Sequence, residues 1–79
     1  MIDRNEYIMM CQKVAMLPRG TEIPEELRLV FRGIEWYPIY YAMKFDSEGN
    51  AVNVACLHDL NANYTDYALL TEIERKVKK

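Results

Sequence analysis

The sequence predicts an α+β fold, in which an N-terminal helix packs on a four-stranded antiparallel meander or a small SH3-like barrel. Apolar residues first recur at spacings of three and four, as far as Leu17, and from Leu27 onward they alternate at every second position. Short turn sequences with glycine or asparagine separate the alternating runs. Because 79 residues suffice for one hydrophobic core only, we expect a single domain over residues 1–79.

The predicted helix covers about residues 3–17. Asp3 is a suitable N-cap, and Glu6 follows three residues later, as in a capping box. Pro18 and Gly20 end the helix. Its apolar stripe consists of Tyr7, Met10 or Cys11, Val14 and Leu17.

Four strands are predicted after the helix, at about residues 27–32, 34–45, 51–57 and 64–73, followed by a solvated basic tail at 75–79. Arg32-Gly33 predicts a tight hairpin turn, and residues 46–50 predict another. Pro38 has no backbone N–H, so the second strand should be an edge strand there or carry a bulge.

Side-chain alternation divides the second strand into two faces. Because neighbouring side chains of a strand point to opposite faces, Trp36 and Tyr40 are expected to face outward. The outward aromatic rings could bind a ligand, or they could pack against the helix or a second subunit. The core-facing set is then Tyr37, Ile39, Tyr41, Met43 and Phe45.

Charge and composition exclude several classes of protein. Residues 1–74 carry twelve acidic and six basic side chains, a net charge of −6, which opposes direct binding to a nucleic-acid backbone. No apolar run is long enough to span a membrane, and the N-terminus lacks the features of a signal peptide, so we expect a cytoplasmic protein. Cys11 and Cys56 are interpreted as buried apolar residues rather than a disulfide.

The sequence offers little material for catalysis. His58 is the only histidine, and Cys56 lies two residues before it, so a thiol–imidazole pair on one strand face is possible. We favour instead a buried Cys56 and a His58 that marks the end of the strand. The glycines are isolated, and no metal-ligand spacing occurs. We therefore predict a protein without enzymatic activity, cofactor or metal.

A binding site has better candidates. Aromatic rings can stack on a planar base, amides can bind the edge of that base, and arginines can meet a phosphate. A chain this small also gains stability by association, so a homo-oligomer is expected. The candidate ligand-binding residues are Trp36, Tyr40, His58, Asp59, Asn61, Asn63, Tyr64, Arg28 and Arg32, with Tyr67 beside the same turn.

Three stretches carry a resemblance: DRNEYIMMCQKVAMLPRG (3–20), PEELRLVFRGIEWYPIYY (24–41) and VACLHDLNANY (54–64). They resemble a family of small uncharacterised proteins carried by phages and mobile elements of Gram-positive gut bacteria. The resemblance transfers no functional residue, and it implies a role against host defence.

Three functions remain open. The first is sequestration of a small nucleotide-derived host immune signal, with that ligand as the partner. The second is direct inhibition of a host defence nuclease by an acidic mimic of nucleic acid. The third, an SH3-like module that binds nucleic acid or a peptide, rests on fold analogy. The acidic residues of the second hypothesis are Glu22, Glu25, Glu26, Glu35, Asp46 and Glu48.

Overall fold

A computed structural model describes residues 2–77 of the chain. It contains one helix and five strands, in the order α1 (Arg4–Ala15), β1 (Leu29–Phe31), β2 (Ile34–Phe45), β3 (Ala51–Asp59), β4 (Thr65–Ala68) and β5 (Glu74–Arg75). The strands form one antiparallel sheet with the order β4-β3-β2-β1-β5. The predicted α+β class is confirmed, and the sheet has five strands where four were expected.

The helix begins as the sequence predicts. The Asp3 carboxylate accepts a hydrogen bond from the backbone N–H of Glu6 at 2.9 Å, so Asp3 is the N-cap. Tyr7 and Met10 are buried on the predicted stripe. The remaining stripe residues pack against the same core, and α1 contacts the sheet mainly through β2. The helix ends at Ala15, two residues before the predicted end.

The first and last predicted strands are shorter in the structure. Residues Glu25–Leu27 form a 3-10 turn, so β1 begins only at Leu29. The predicted strand at 64–73 ends at Ala68, because a second 3-10 turn at Leu70–Glu72 follows it. β3 extends two residues beyond its predicted end, to Asp59.

The basic tail was predicted to be solvated; Lys76 is exposed, but Arg75 is half-buried, and both residues are paired within the chain. β5 pairs with β1, and the backbone N–H of Lys76 donates to the carbonyl of Arg28 at 3.0 Å. Arg75 forms an ion pair with Glu6 of α1, and the Lys76 Nζ lies 2.7 Å from a carboxylate oxygen of Glu35. Ion pairs with acidic side chains and backbone hydrogen bonds to the edge strand β1 therefore fix this segment against the domain. The predicted tail residues Lys78 and Lys79 lie outside the described residues.

The Arg32-Gly33 hairpin turn is confirmed. Phe31 pairs directly with Ile34, and the two residues between them have φ values of 56° and 71°. Positive φ angles at both turn residues match the twist of the strands in a two-residue hairpin. Arginine occupies the first position although asparagine or glycine adopts it more readily.

A β-bulge in β2 decides which side chains enter the core. Pro38 pairs with Leu57, but the next pair along the ladder joins Tyr40 to Cys56, so Ile39 is the extra residue. The bulge expected from Pro38 is thus confirmed. One extra residue reverses the alternation of side chains, because the period of a strand is two. Trp36 and Pro38 face the core before the bulge, and Tyr41 faces it afterwards.

The expected outward orientation of Trp36 is therefore wrong. Its side chain is 2% exposed, and its indole N–H donates to the carbonyl of Phe31 at 2.8 Å. The core-facing prediction for Tyr37 is also wrong, since Tyr37 pairs with His58 on the opposite face from Trp36. Both errors have the same cause, because the bulge lies between Trp36 and Tyr40.

Tyr7 connects α1 to this bulge. Its hydroxyl donates to the carbonyl of Cys56 at 2.7 Å and lies 3.2 Å from the carbonyl of Tyr40. These two residues are the first ladder pair after the bulge. Tyr7 is fully buried, and this burial raises the pKa of its hydroxyl above the usual value. The hydroxyl therefore stays protonated and available as a donor at neutral pH.

Replacement of Tyr7 by phenylalanine tests this connection. Tyr7→Phe keeps the ring but removes the donor from a buried carbonyl, so we expect a loss of about 1–3 kcal/mol in the free energy of unfolding. Urea denaturation followed by circular dichroism measures it. The matched control is Tyr41→Phe, which removes a hydroxyl from a half-buried ring that packs on Tyr7. Equal losses in the two variants would contradict the proposed role of the Tyr7 hydroxyl.

Candidate functional site

Two exposed tyrosines form the centre of the candidate site. Tyr40 on β2 and Tyr67 on β4 both pair with Cys56 on β3, so the three side chains lie in one row across the sheet, on the face opposite Trp36. The two hydroxyl oxygens are 3.1 Å apart and share a hydrogen bond. Tyr40 is 45% exposed and Tyr67 is 38% exposed, while Cys56 is buried between them. We call Tyr40 and Tyr67 the tyrosine pair.

A lysine covers one member of the tyrosine pair. The ammonium of Lys44, on β2, lies 3.6 Å from the centre of the Tyr67 ring. A cation in this position is attracted to the electron-rich face of the ring. The hydrogen bond with Tyr67 raises the pKa of Tyr40. The Tyr40 hydroxyl therefore stays protonated at neutral pH.

A second stack of rings lies one row further along the same face. Tyr37 and His58 are directly paired, with ring centroids 4.9 Å apart and planes inclined by 17°. The Nδ1 of His58 lies 2.7 Å from the backbone carbonyl of Asp59. Tyr37 also lines a cleft at the end of α1, together with Leu17 and Leu60. This stack is half-buried and adjoins the more exposed tyrosine pair.

The geometry gives no support to chemistry at the cysteines. Cys56 shares a face with His58, as a thiol–imidazole pair requires, but the thiol is buried beside the tyrosine pair and the imidazole is stacked on Tyr37. Burial raises the pKa of the Cys11 thiol to about 11, so it is protonated at neutral pH. Within residues 2–77, no cluster of three or more histidine, cysteine, aspartate or glutamate side chains could hold a metal ion.

The polar turn after β3 forms a separate group of candidate residues. The Asp59 carboxylate accepts a hydrogen bond from the backbone N–H of Asn61 at 2.7 Å, which fixes the turn. Asn61, Asn63 and Tyr64 are exposed, and the Tyr64 ring lies 6.0 Å from that of Trp36. The side chains of these exposed residues are open to solvent and to a ligand.

The two candidate arginines are not brought together. Arg28 lies before β1 and Arg32 after it, and each pairs with an acidic residue. Arg28 bonds to Glu22 at 3.1 Å and to the Ile23 carbonyl at 2.8 Å, and it lines a shallow depression with Asn61. Arg32 bonds to Asp66 at 3.2 Å. Either arginine would have to exchange an existing acidic partner in order to bind a phosphate.

Lys44 is a candidate that the sequence analysis missed. It has the same parity as Tyr40 on β2, and this signal was present in the sequence. Its contact with Tyr67 depends on the pairing of β3 with both β2 and β4, which alternation within one strand does not reveal.

Several acidic residues of the proposed nucleic-acid mimic are paired within the chain. Glu22 and Glu35 contact Arg28, and Glu25 and Glu35 contact Lys76. The hydrogen bond from Lys76 lowers the pKa of Glu35. Three of the six acidic residues proposed for the nucleic-acid mimic therefore already have a basic partner within the chain.

Comparison of the chain with protein-family models, with curated proteins and with solved structures finds no match. Among residues 2–77, no helix has the length and apolar character needed to cross a membrane.

Two alanine variants distinguish the core from the candidate site. Trp36→Ala removes a buried ring and should lower the free energy of unfolding by about 3–5 kcal/mol. Tyr40→Ala removes a ring that is nearly half exposed and should leave the unfolding midpoint close to that of the unmodified protein. Urea denaturation of both variants measures the difference. A Trp36→Ala protein as stable as Tyr40→Ala would contradict the assignment of Trp36 to the core.

Proposed function

We propose that the protein binds and sequesters a small nucleotide-derived ligand on the tyrosine pair, without transforming it. The observation that carries the proposal is the exposed pair Tyr40 and Tyr67, joined through their hydroxyls and flanked by Lys44. Aromatic side chains of this kind stack on planar bases, and each such contact contributes about 1–3 kcal/mol. The tyrosine hydroxyls add polar contacts at the edge of the base.

The charge of the chain supports a small ligand rather than a polymer. Residues 1–74 carry a net charge of −6, which repels a long phosphate backbone. A small nucleotide presents few phosphates and requires only local compensation. The exposed amides of Asn61 and Asn63 lie in the separate turn after β3 and offer donors and acceptors to a ligand that extends to that turn.

The biological setting of the proposal rests on the family resemblance. We propose that the ligand is a host immune signal and that the protein acts in the cytoplasm of an infected or lysogenic bacterium. The proposal includes association of copies of the chain. Met43 and Phe45, which were expected in the core, are instead exposed at the end of the β2–β3 hairpin, and these apolar side chains support it.

We also propose an SH3-like arrangement for the sheet. The return of β5 to β1 after a 3-10 turn supports it, since this connection carries the chain from one edge of the sheet to the other. Fold alone does not assign a ligand, so the proposed function depends on the tyrosine pair.

A depletion experiment tests the proposal. The purified protein is incubated with a panel of cyclic dinucleotides, cyclic trinucleotides and ADP-ribose derivatives, and the ligand left after filtration is measured. Heat then releases the bound fraction, and its mass is compared with that of the input. We expect selective depletion and release of an unchanged ligand, because the site stacks the ligand but offers no catalytic group.

Variants of the tyrosine pair provide the control. Tyr67→Ala should weaken binding of the depleted compound by about 1–3 kcal/mol, whereas Tyr67→Phe keeps the ring, loses only the hydroxyl contacts and should bind more tightly than Tyr67→Ala. A ligand released with a changed mass would contradict sequestration without catalysis. If the panel is not depleted at all, the small-ligand function is wrong, and direct inhibition of a host protein becomes the hypothesis to test.

A further inference from the structure

We infer that Lys44 is the anion-binding residue of the tyrosine pair, and that the site therefore selects phosphorylated nucleotides over nucleosides. This inference rests on the proposed function and specifies its ligand class. In the free protein the Lys44 ammonium lies over the face of the Tyr67 ring, 3.6 Å from its centre, which is the face on which a planar base would stack. The ammonium thus occupies the position of the base, and the two cannot be bound there together.

The neighbours of Lys44 explain why it rests on the ring. Its cross-strand partner is Val52, and the next pair along the same face is Ala42 with Val54, so the surrounding sheet surface is apolar. Asp66 is next to Tyr67 in sequence, but its carboxylate bonds to Arg32 and to the Tyr67 backbone N–H. The contact with the ring is weak and solvent-exposed, and a stacked base can replace it.

The other cations near the sheet are already engaged. Arg28, Arg32, Arg75 and Lys76 each form an ion pair with an acidic side chain of the chain. Lys44 contacts an aromatic ring instead, so its binding to an anion breaks no ion pair seen in residues 2–77. Among these described cations of the sheet and its ends, Lys44 is therefore the one that can bind a ligand phosphate without giving up an acidic partner.

Displacement of Lys44 places its charge beside the bound base. The lysine stem is flexible, with four carbons, and its ammonium has three donors that can turn toward a phosphate. A base that stacks on Tyr67 therefore moves the ammonium to the rim of the site, within reach of a phosphate attached to that base. The same side chain covers the ring in the free protein and binds the anion in the complex.

Matched pairs of ligands test the inference. We would measure, by titration calorimetry, the affinities of the four common nucleosides and of their 5′-monophosphates. We expect at least one monophosphate to bind about three- to tenfold more tightly than its nucleoside, the range for one exposed charge-assisted contact. This preference should shrink as salt rises, because the contact is electrostatic.

Variants of Lys44 assign the preference to this residue. Lys44→Gln should abolish the preference for the monophosphate, and Lys44→Arg should keep it because the charge is retained. The control is Lys13→Gln, which makes the same change of charge on α1, where Lys13 lines a groove with Glu6 and Arg75. Circular dichroism and the unfolding midpoint show whether each variant is folded.

The outcomes separate this inference from the proposed function. Equal binding of nucleoside and monophosphate overturns the role of Lys44 and leaves nucleotide sequestration standing. Tighter binding of both ligands by Lys44→Gln, with the monophosphate preference unchanged, also overturns it, since Lys44 would then only cover the ring. Failure of every monophosphate to bind overturns the role of Lys44 even if the panel is depleted, and an undepleted panel in addition overturns the proposed function as well.

Discussion

The structure depends on one buried hydrogen bond at one irregularity of the sheet. Pro38 has no N–H to donate, and the ladder between β2 and β3 changes register immediately after it. The Tyr7 hydroxyl reaches this point from α1 and donates to the carbonyl of Cys56. This hydrogen bond couples the position of α1 to the register of β2 and β3. It forms only when the helix is docked and the bulge lies at this position.

The bulge also separates the two functions of β2. Before it, Trp36 packs into the core together with Phe31, and after it, Tyr40 projects from the opposite face beside Tyr67. Among residues 2–77, the single helix α1 covers one side of the sheet, so the exposed rings of Tyr40 and Tyr67 lie on the other side. The reversed alternation thus allows one strand to supply both the largest core side chain and the centre of the candidate site.

The sequence was sufficient for the features that depend on local chemistry. The Asp3 cap, the Arg32-Gly33 turn and the irregularity at Pro38 follow from the residues themselves and are confirmed. The sequence did not reveal that Ile39 is the extra residue, and this single position reversed the assignment of Trp36. The pairing of β5 with β1 depends on contacts between residues far apart in the chain, which local patterns do not contain.

The candidate site shows the same division between local and long-range information. Tyr40 was correctly expected to be exposed, but its neighbours were expected in the turn after β3 rather than on β4. Lys44 escaped attention because its importance comes from Tyr67, 23 positions along the chain and two strands across the sheet. Strand register is therefore the information that would have located the site.

The most direct test of this account is the accessibility of the single tryptophan. Its fluorescence, excited where tyrosine does not absorb, would be quenched with acrylamide in the native protein and again in urea. We expect a blue-shifted native emission and weak native quenching that rises strongly on unfolding, since Trp36 is 2% exposed. Native quenching as strong as that of the unfolded chain would place Trp36 in solvent and contradict the reversal of alternation at the bulge.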